Sequence, residues 1–248
     1  MSENKTAPAE NRSRRSHRGE RICEDLSFAA KEAFKRLRTN LIASFPEEEP
    51  GCRLVGITSA QPSDGKSTVA IDLAYSLAEL EQKVLLIDAD MRRSSIHVKA
   101  GLEHAPGLSE LLDQSDDVRG TIQRYDGRTG VGFDIITAGE PPKNPSERLN
   151  SKRMATLLQK LAEAYDYILV DLPPIGAVVD AAAVSKHLDG MLVVVRENAC
   201  PRGLLAECMS QLRYAGANVL GFVANGAVEG SGKKYQYGKY GYYNDYYY

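Results

Sequence analysis

The sequence predicts an α/β domain, a mainly parallel, twisted sheet flanked by helices. Two observations carry this. Six short runs rich in Val, Ile and Leu (53–58, 84–87, 133–137, 167–171, 190–195 and 219–224) are separated by turn residues and longer segments. In several of those longer segments the apolar residues recur at helical spacing. Strands that are apolar along their whole length are those buried on both faces. Helices between them supply crossover connections, so the alternation indicates βαβ units and a parallel sheet. Ligands on such sheets sit beyond the carboxyl ends of the strands.

In chain order, residues 1–24 are polar and charged and are expected to be disordered. Arg12, Arg14, Arg15, Arg18 and Arg21 cluster there, either as a solvated tail or as a contact for anionic lipid or an acidic partner. A helix is predicted over 28–45, where Phe34, Leu37, Leu41 and Phe45 recur at helical spacing. The acidic linker between Pro46 and Pro50 ends it. The domain proper covers 25–225, with further helices over 67–80, 152–165, 181–187 and 202–215. Residues 93–132 and 139–150 show no clear period and are expected to hold short helices such as 108–112. From 226 to 248 apolar periodicity stops, and a flexible tail is expected. Eight of the 13 tyrosines lie in it: Tyr235, Tyr237, Tyr240, Tyr242, Tyr243, Tyr246, Tyr247 and Tyr248. A folding core has no use for phenols packed that densely among Gly, Lys and Asp.

Composition excludes several classes. The formal net charge of -2 gives no global footprint for nucleic acid. The longest apolar runs fall far short of the roughly 20 residues that span a bilayer. The first thirty residues hold no apolar signal core, so a cytoplasmic chain is expected. Cys23, Cys52, Cys200 and Cys208 form no Cys-x-x-Cys pair, which points to plain reduced thiols. No metal-ligand cluster and no Ser-His-Asp set is visible.

Three motifs carry chemistry. The first is the strand-loop-helix 54–68, with Ser63, Asp64, Gly65, Lys66, Ser67 and Thr68 at the turn. Backbone N–H groups of such a loop, aided by the following helix dipole, wrap a phosphate chain. Lys66 would reach the β- and γ-phosphates and the Ser67 hydroxyl would bind Mg²⁺. The pattern usually begins with Gly; here Ala60 stands there. The motif makes the fold P-loop NTPase-like and implies ATP and Mg²⁺ as cofactors.

The second motif is the apolar strand ending Asp88-Ala89-Asp90-Met91-Arg92-Arg93. Period two brings both carboxylates to one side of an extended segment, where they can share Mg²⁺ binding and acceptance of a nucleophile's proton. An aspartate capping an ordinary βα loop is the plainer alternative. The third is the strand 167–171, whose Asp171 would hold Mg²⁺ directly or through water. Asn225, at the end of the last strand, reads either as an adenine contact or as a turn residue.

These three motifs, in this order, resemble the bacterial tyrosine kinases that regulate capsule and exopolysaccharide synthesis, over about 28–248. The resemblance extends to the first helix, the Leu37-Arg38-Thr39-Asn40 stretch and the tail tyrosines. It implies an ATP-dependent autokinase that phosphorylates its own C-terminal tyrosines in trans. It implies Lys66, Ser67 and Thr68 on phosphates and Mg²⁺, Asp88 as acceptor of the tyrosine proton, Asp90 supporting metal or substrate, and Asp171 completing the metal site. It also implies a separate cytosolic kinase chain, recruited to the inner face of the membrane by a transmembrane polysaccharide co-polymerase that activates it. A cognate tyrosine phosphatase would reverse the modification. The family's first helix carries Glu-x-x-Arg-x-x-Arg for ring assembly between subunits. Glu32, Lys35 and Arg38 stand at those positions, with Lys35 replacing the first arginine. Lysine keeps the charge but not the bidentate fork, and a solvated i,i+3 pair is the alternative reading. Multi-site phosphorylation of the tail would dissolve such a ring by charge repulsion.

Two other readings compete. A MinD/ParA-type ATPase switch shares the βαβ plan and the Asp-x-Asp strand. That group usually has a second lysine near the start of its loop, where Gln61 stands here. The other is an interaction protein with a degenerate nucleotide site and an adhesive aromatic tail.

Overall fold

The computed structural model describes residues 24–46, 51–113, 115–176 and 180–226. The tail tyrosines Tyr235–Tyr248 and the basic cluster near the N-terminus lie outside the described residues. Seven strands form one sheet in the order β3-β4-β2-β5-β1-β6-β7. They are β1 (Arg53–Ser59), β2 (Val84–Asp88), β3 (Gln123–Asp126), β4 (Gly132–Ile136), β5 (Tyr167–Asp171), β6 (Gly190–Arg196) and β7 (Val219–Asn225). All neighbouring pairs are parallel except β3 with β4.

The helices are α1 (Phe28–Ala43), α2 (Lys66–Ala78), α3 (Ile96–Ala100), α4 (Leu108–Asp113), α5 (Val118–Thr121), α6 (Pro145–Leu149), α7 (Lys152–Ala162), α8 (Asp180–Ser185) and α9 (Arg202–Tyr214). Side chains of a strand alternate between faces, and the core divides accordingly. Leu85, Ile87, Ile168, Val170, Met191 and Val193 point to the face covered by α4, α6, α7, α8 and α9. Val84, Leu86, Leu169, Leu192 and Val194 point to the other face, beneath α1, α2 and α3.

The first two helices explain each other. Nearly all of α2 is buried, between the sheet on one side and α1 on the other. Ser27 caps α1 by accepting from the Ala30 N–H at 3.2 Å, and Phe34, Leu37 and Leu41 pack toward α2. Arg38 fastens the pair: its Nη1 donates to the Ser76 carbonyl oxygen and reaches Glu79 Oε2 at 3.3 Å.

All six predicted strands are present. The structure adds β3, α3, α5 and α6 in the two stretches where the sequence shows no clear period. β3 is a four-residue edge strand, half-exposed on one face and open on the other, so it lacks the apolar run that marks its buried neighbours.

Candidate active site

The strand order brings the motifs together. β5 lies between β1 and β2, and its register sets Asp171 opposite both Ile57 and Asp88. The phosphate loop leaves the end of β1, so Asp171 sits between the loop and the Asp88-Ala89-Asp90 stretch.

Lys66 is the centre of the polar cluster. Its Nζ lies 2.9 Å from Asp90 Oδ2, 3.2 Å from each Asp171 oxygen and 3.1 Å from Ser67 Oγ. Ser67 Oγ donates to Asp171 Oδ2 at 2.5 Å. Burial works against the Lys66 charge, but Asp171 and then Asp90 outweigh it and raise its pKa. Asp88 is fully buried and out of contact with the ammonium. Its Oδ1 accepts from the Asp90 N–H at 3.1 Å and its Oδ2 from the Ile96 N–H at 3.3 Å. Burial first, then the Asp171 carboxylate, push Asp88 up to about 8. Asp171 is also raised, by burial, with Lys66 and the Ser67 hydroxyl pulling against that.

Three carboxylates around one ammonium leave the cluster negative whenever all are ionised. That imbalance suits a further cation, and a carboxylate-hydroxyl pair such as Asp171 and Ser67 suits Mg²⁺, which prefers oxygen and keeps most of its shell for water and phosphate. Among the described residues, no group of three or more His, Cys, Asp or Glu side chains is arranged to hold a metal by itself.

The loop is braced from behind. Gly65 sits at φ +93°, in the left-handed region, and a Cβ there would fall 2.0 Å from Asn225 Nδ2. Asn225 Nδ2 donates to the Asp64 carbonyl at 2.8 Å. The buried Asp64 carboxylate accepts from the Gln61 N–H and from Gln61 Nε2, each at 3.3 Å. Gln61 Nε2 also donates to the Ala199 carbonyl at 3.2 Å. The position where switch ATPases carry a second lysine is therefore occupied by a loop brace.

A cavity of about 610 Å³ opens over the loop, within the usual size range of ligand pockets. Ser63, Gly65, Lys66, Ser67, Thr68 and Asp90 line it. Asp64, Asp88, Asp171 and Asn225 stand behind that lining. Arg92, Arg93, Ser95 and Lys99 line the cavity as well. Sequence reasoning gave these no role. The only signal was the Arg92-Arg93 pair after Asp-x-Asp, because nothing in a pattern tells which way a loop cation turns.

The predicted assembly residues of α1 behave differently from one another. Lys35 Nζ pairs with Glu32 Oε1 at 2.8 Å along the exposed face of α1. Arg38 is turned the other way, into the α1–α2 contact, and its side chain is mostly buried.

Comparison with known proteins agrees with this geometry. The family described as AAA domain matches residues 53–206. The chain is 39% identical over 209 residues to tyrosine-protein kinase Etk of Escherichia coli K12, covering 84% of this chain and 28% of that protein. It is 34% identical over 212 residues to tyrosine-protein kinase YwqD of Bacillus subtilis, covering 86% and 85%. The solved kinase domain of E. coli ETK superposes with a TM-score of 0.79 at 35% identity, over 92% of this chain and 89% of that one. The chain thus spans a little over a quarter of Etk and most of YwqD. A P-loop α/β sheet with its carboxylates gathered at one phosphate loop, matched nearly end to end by YwqD, places the chain in the bacterial tyrosine-protein kinase family.

Proposed function

We propose that this chain is an ATP-dependent tyrosine autokinase that phosphorylates its own C-terminal tyrosines, Tyr235 through Tyr248, in trans. One observation carries the reading: the Lys66 ammonium holds Ser67, Asp90 and Asp171 within 3.2 Å at the phosphate loop, beside a cavity of about 610 Å³. Ser63 to Thr68 would hold the phosphates through backbone N–H groups and the Lys66 charge. Ser67 and Asp171 would hold Mg²⁺, which when bound neutralises charge on the transferring phosphoryl group.

The protein's remaining task is the phenol proton. A tyrosine hydroxyl with a pKa near 10 is almost wholly protonated at neutral pH, so a carboxylate must take its proton as the oxygen attacks. Asp90 faces the cavity. Asp88, the acceptor the family resemblance implies, lies behind it and holds the Asp90 N–H. A proton taken by Asp88 requires that side chain to turn outward once nucleotide draws Lys66 away. A proton taken by Asp90 requires no such turn. Comparing Asp88→Asn with Asp90→Asn at saturating ATP separates the two.

The wider biology is part of the same proposal: regulation of capsular or exopolysaccharide export, a transmembrane co-polymerase activator that recruits the chain to the membrane, and a cognate phosphatase. So is a ring of subunits that separates on phosphorylation. In it Glu32 and Lys35 remain on the exposed face of α1, while Arg38 acts from within the subunit by holding α1 on α2. Among the described residues, no helix is long and apolar enough to cross a membrane.

The test is intact mass after Mg²⁺-ATP, beside a Lys66→Met control. Phosphates mapping to Tyr235–Tyr248, absent in the control, support the reading. ADP release without added mass would overturn it in favour of an ATPase switch.

A further inference from the structure

Besides Lys66, the cavity is lined by three further cationic side chains, Arg92, Arg93 and Lys99. Arg92 Nη2 donates to Ser146 Oγ at 3.1 Å and so leans toward α6. Arg93 and Lys99 line the same cavity, and neither makes an ion pair among the described residues. The nearby carboxylates do not neutralise them: Asp90 and Asp171 face Lys66, and both Asp88 oxygens accept backbone N–H groups. The Arg93 backbone N–H donates to Asp90 Oδ1 at 3.0 Å, which ties Arg93 to the carboxylate that lines the same cavity.

The chain's own C-terminus supplies a ligand of matching chemistry. Before modification, residues 235–248 carry one cationic and one anionic side chain, Lys239 and Asp245, a neutral stretch. Each phosphate adds about -1.5 to -2 charge and three strong acceptor oxygens. The tyrosines are also close-set, at 242–243 and 246–248 and at intervals of two or three from 235 to 240. Extended residues two apart lie about 7 Å apart on one side of the chain, comparable with the width of a 610 Å³ cavity. The tail can reach the site, because β7 ends at Asn225 against the loop and the 22 residues after 226 extend up to about 75 Å.

We infer that Arg93 and Lys99 form a phosphotyrosine subsite beside the acceptor position, so that each phosphate already on the tail helps to seat the next tyrosine. The inference rests on the autokinase reading and adds an order of events to it. The first phosphate is the slow one, and later ones follow faster on the same chain.

The experiment is the time course of phosphate number per chain, read by intact mass on the full-length protein with Mg²⁺-ATP. The parent is expected to show unmodified and multiply phosphorylated chains together, with few singly phosphorylated ones. Arg93→Ala with Lys99→Ala should lower the ratio of second-addition to first-addition rates by roughly three- to tenfold, filling the ladder stepwise. Arg93→Lys with Lys99→Arg, which keeps both charges, should restore the biased ladder. A stepwise ladder in the parent overturns the subsite while leaving the kinase intact. So does an unchanged ratio in the alanine variant, or a loss confined to ATP affinity. A parent that gains no phosphate overturns the autokinase reading, and the subsite with it.

Discussion

β5 carries an aspartate at each end, and the two do different things. Asp166, just before its amino end, is exposed and accepts the Lys83 backbone N–H at 2.7 Å. Asp189, before β6, is likewise exposed and accepts the Leu54 N–H at 2.7 Å. Each ties one strand to the next. At the carboxyl ends, Asp88 and Asp171 are fully buried, opposite each other across the β2–β5 pairing, and Lys66 pairs with Asp171 and with the neighbouring Asp90. An aspartate at the end of a strand is therefore not in itself a site. Burial among like charges around one cation makes it one, because there each carboxylate must find a positive partner or a proton.

Lys66→Met attacks the carboxyl end most directly. It strips the cation from the carboxylates, and phosphotransfer should fall by at least about 10²–10³-fold by mass spectrometry. Leaving buried charge unpaired should also cost roughly 3–5 kcal/mol in denaturant unfolding. Retained activity would show that the cluster is a structural tie, as the carboxylates at the other end are.

Gly65→Ala comes next. A Cβ at φ +93° against Asn225 must displace the loop or the last strand. ATP affinity is expected to weaken about tenfold, from roughly 1–2 kcal/mol of left-handed backbone strain. Asn225→Ala in the same background should relieve the clash but not the strain, and titration calorimetry would separate the two.

The third outcome is a pH dependence. In the nucleotide- and Mg²⁺-free protein the folded pKa of Asp88 lies above its unfolded value, at about 8. Its contribution to stability is therefore present at low pH and is lost as pH rises from the ordinary carboxylate range through about 8. Lys66, also raised, has the same sign at higher pH. The melting temperature should fall across pH 6 to 8, and Asp88→Asn should flatten that fall. An equal slope in the variant would place the dependence elsewhere.

The smallest effect belongs to the amino end. Asp166→Ala removes the acceptor of the Lys83 N–H and should cost about 1 kcal/mol, with phosphotransfer per folded molecule unchanged. A loss of activity there would erase the distinction between the two ends.

How much was legible in the sequence follows the same division. The buried central strands announce themselves as continuous runs such as Val84-Leu85-Leu86-Ile87, and the loop residues 63–68 are fixed by spacing. β3, at an edge and partly solvated, needed no apolar run and gave no signal. Nor did the pattern show that Asp88 would stand behind Asp90, because residues two apart share a side only while the chain stays extended. Here it turns after Asp88, with the Asp90 N–H folding back onto the Asp88 carboxylate. The adenine reading of Asn225 meets a side chain that bonds the Asp64 carbonyl, an arrangement set by β7 lying beside β6, far from the loop in sequence.

That grip has a mechanical consequence. The last strand ends on the very residue that holds the Asp64 carbonyl, so residue 226 is tied to the nucleotide loop through its neighbour. A pull on residue 226 loads the Asn225–Asp64 bond and the β6–β7 ladder before it loads any other strand. Tension applied there would reach the phosphate loop as a displacement of its backbone, making nucleotide release responsive to force.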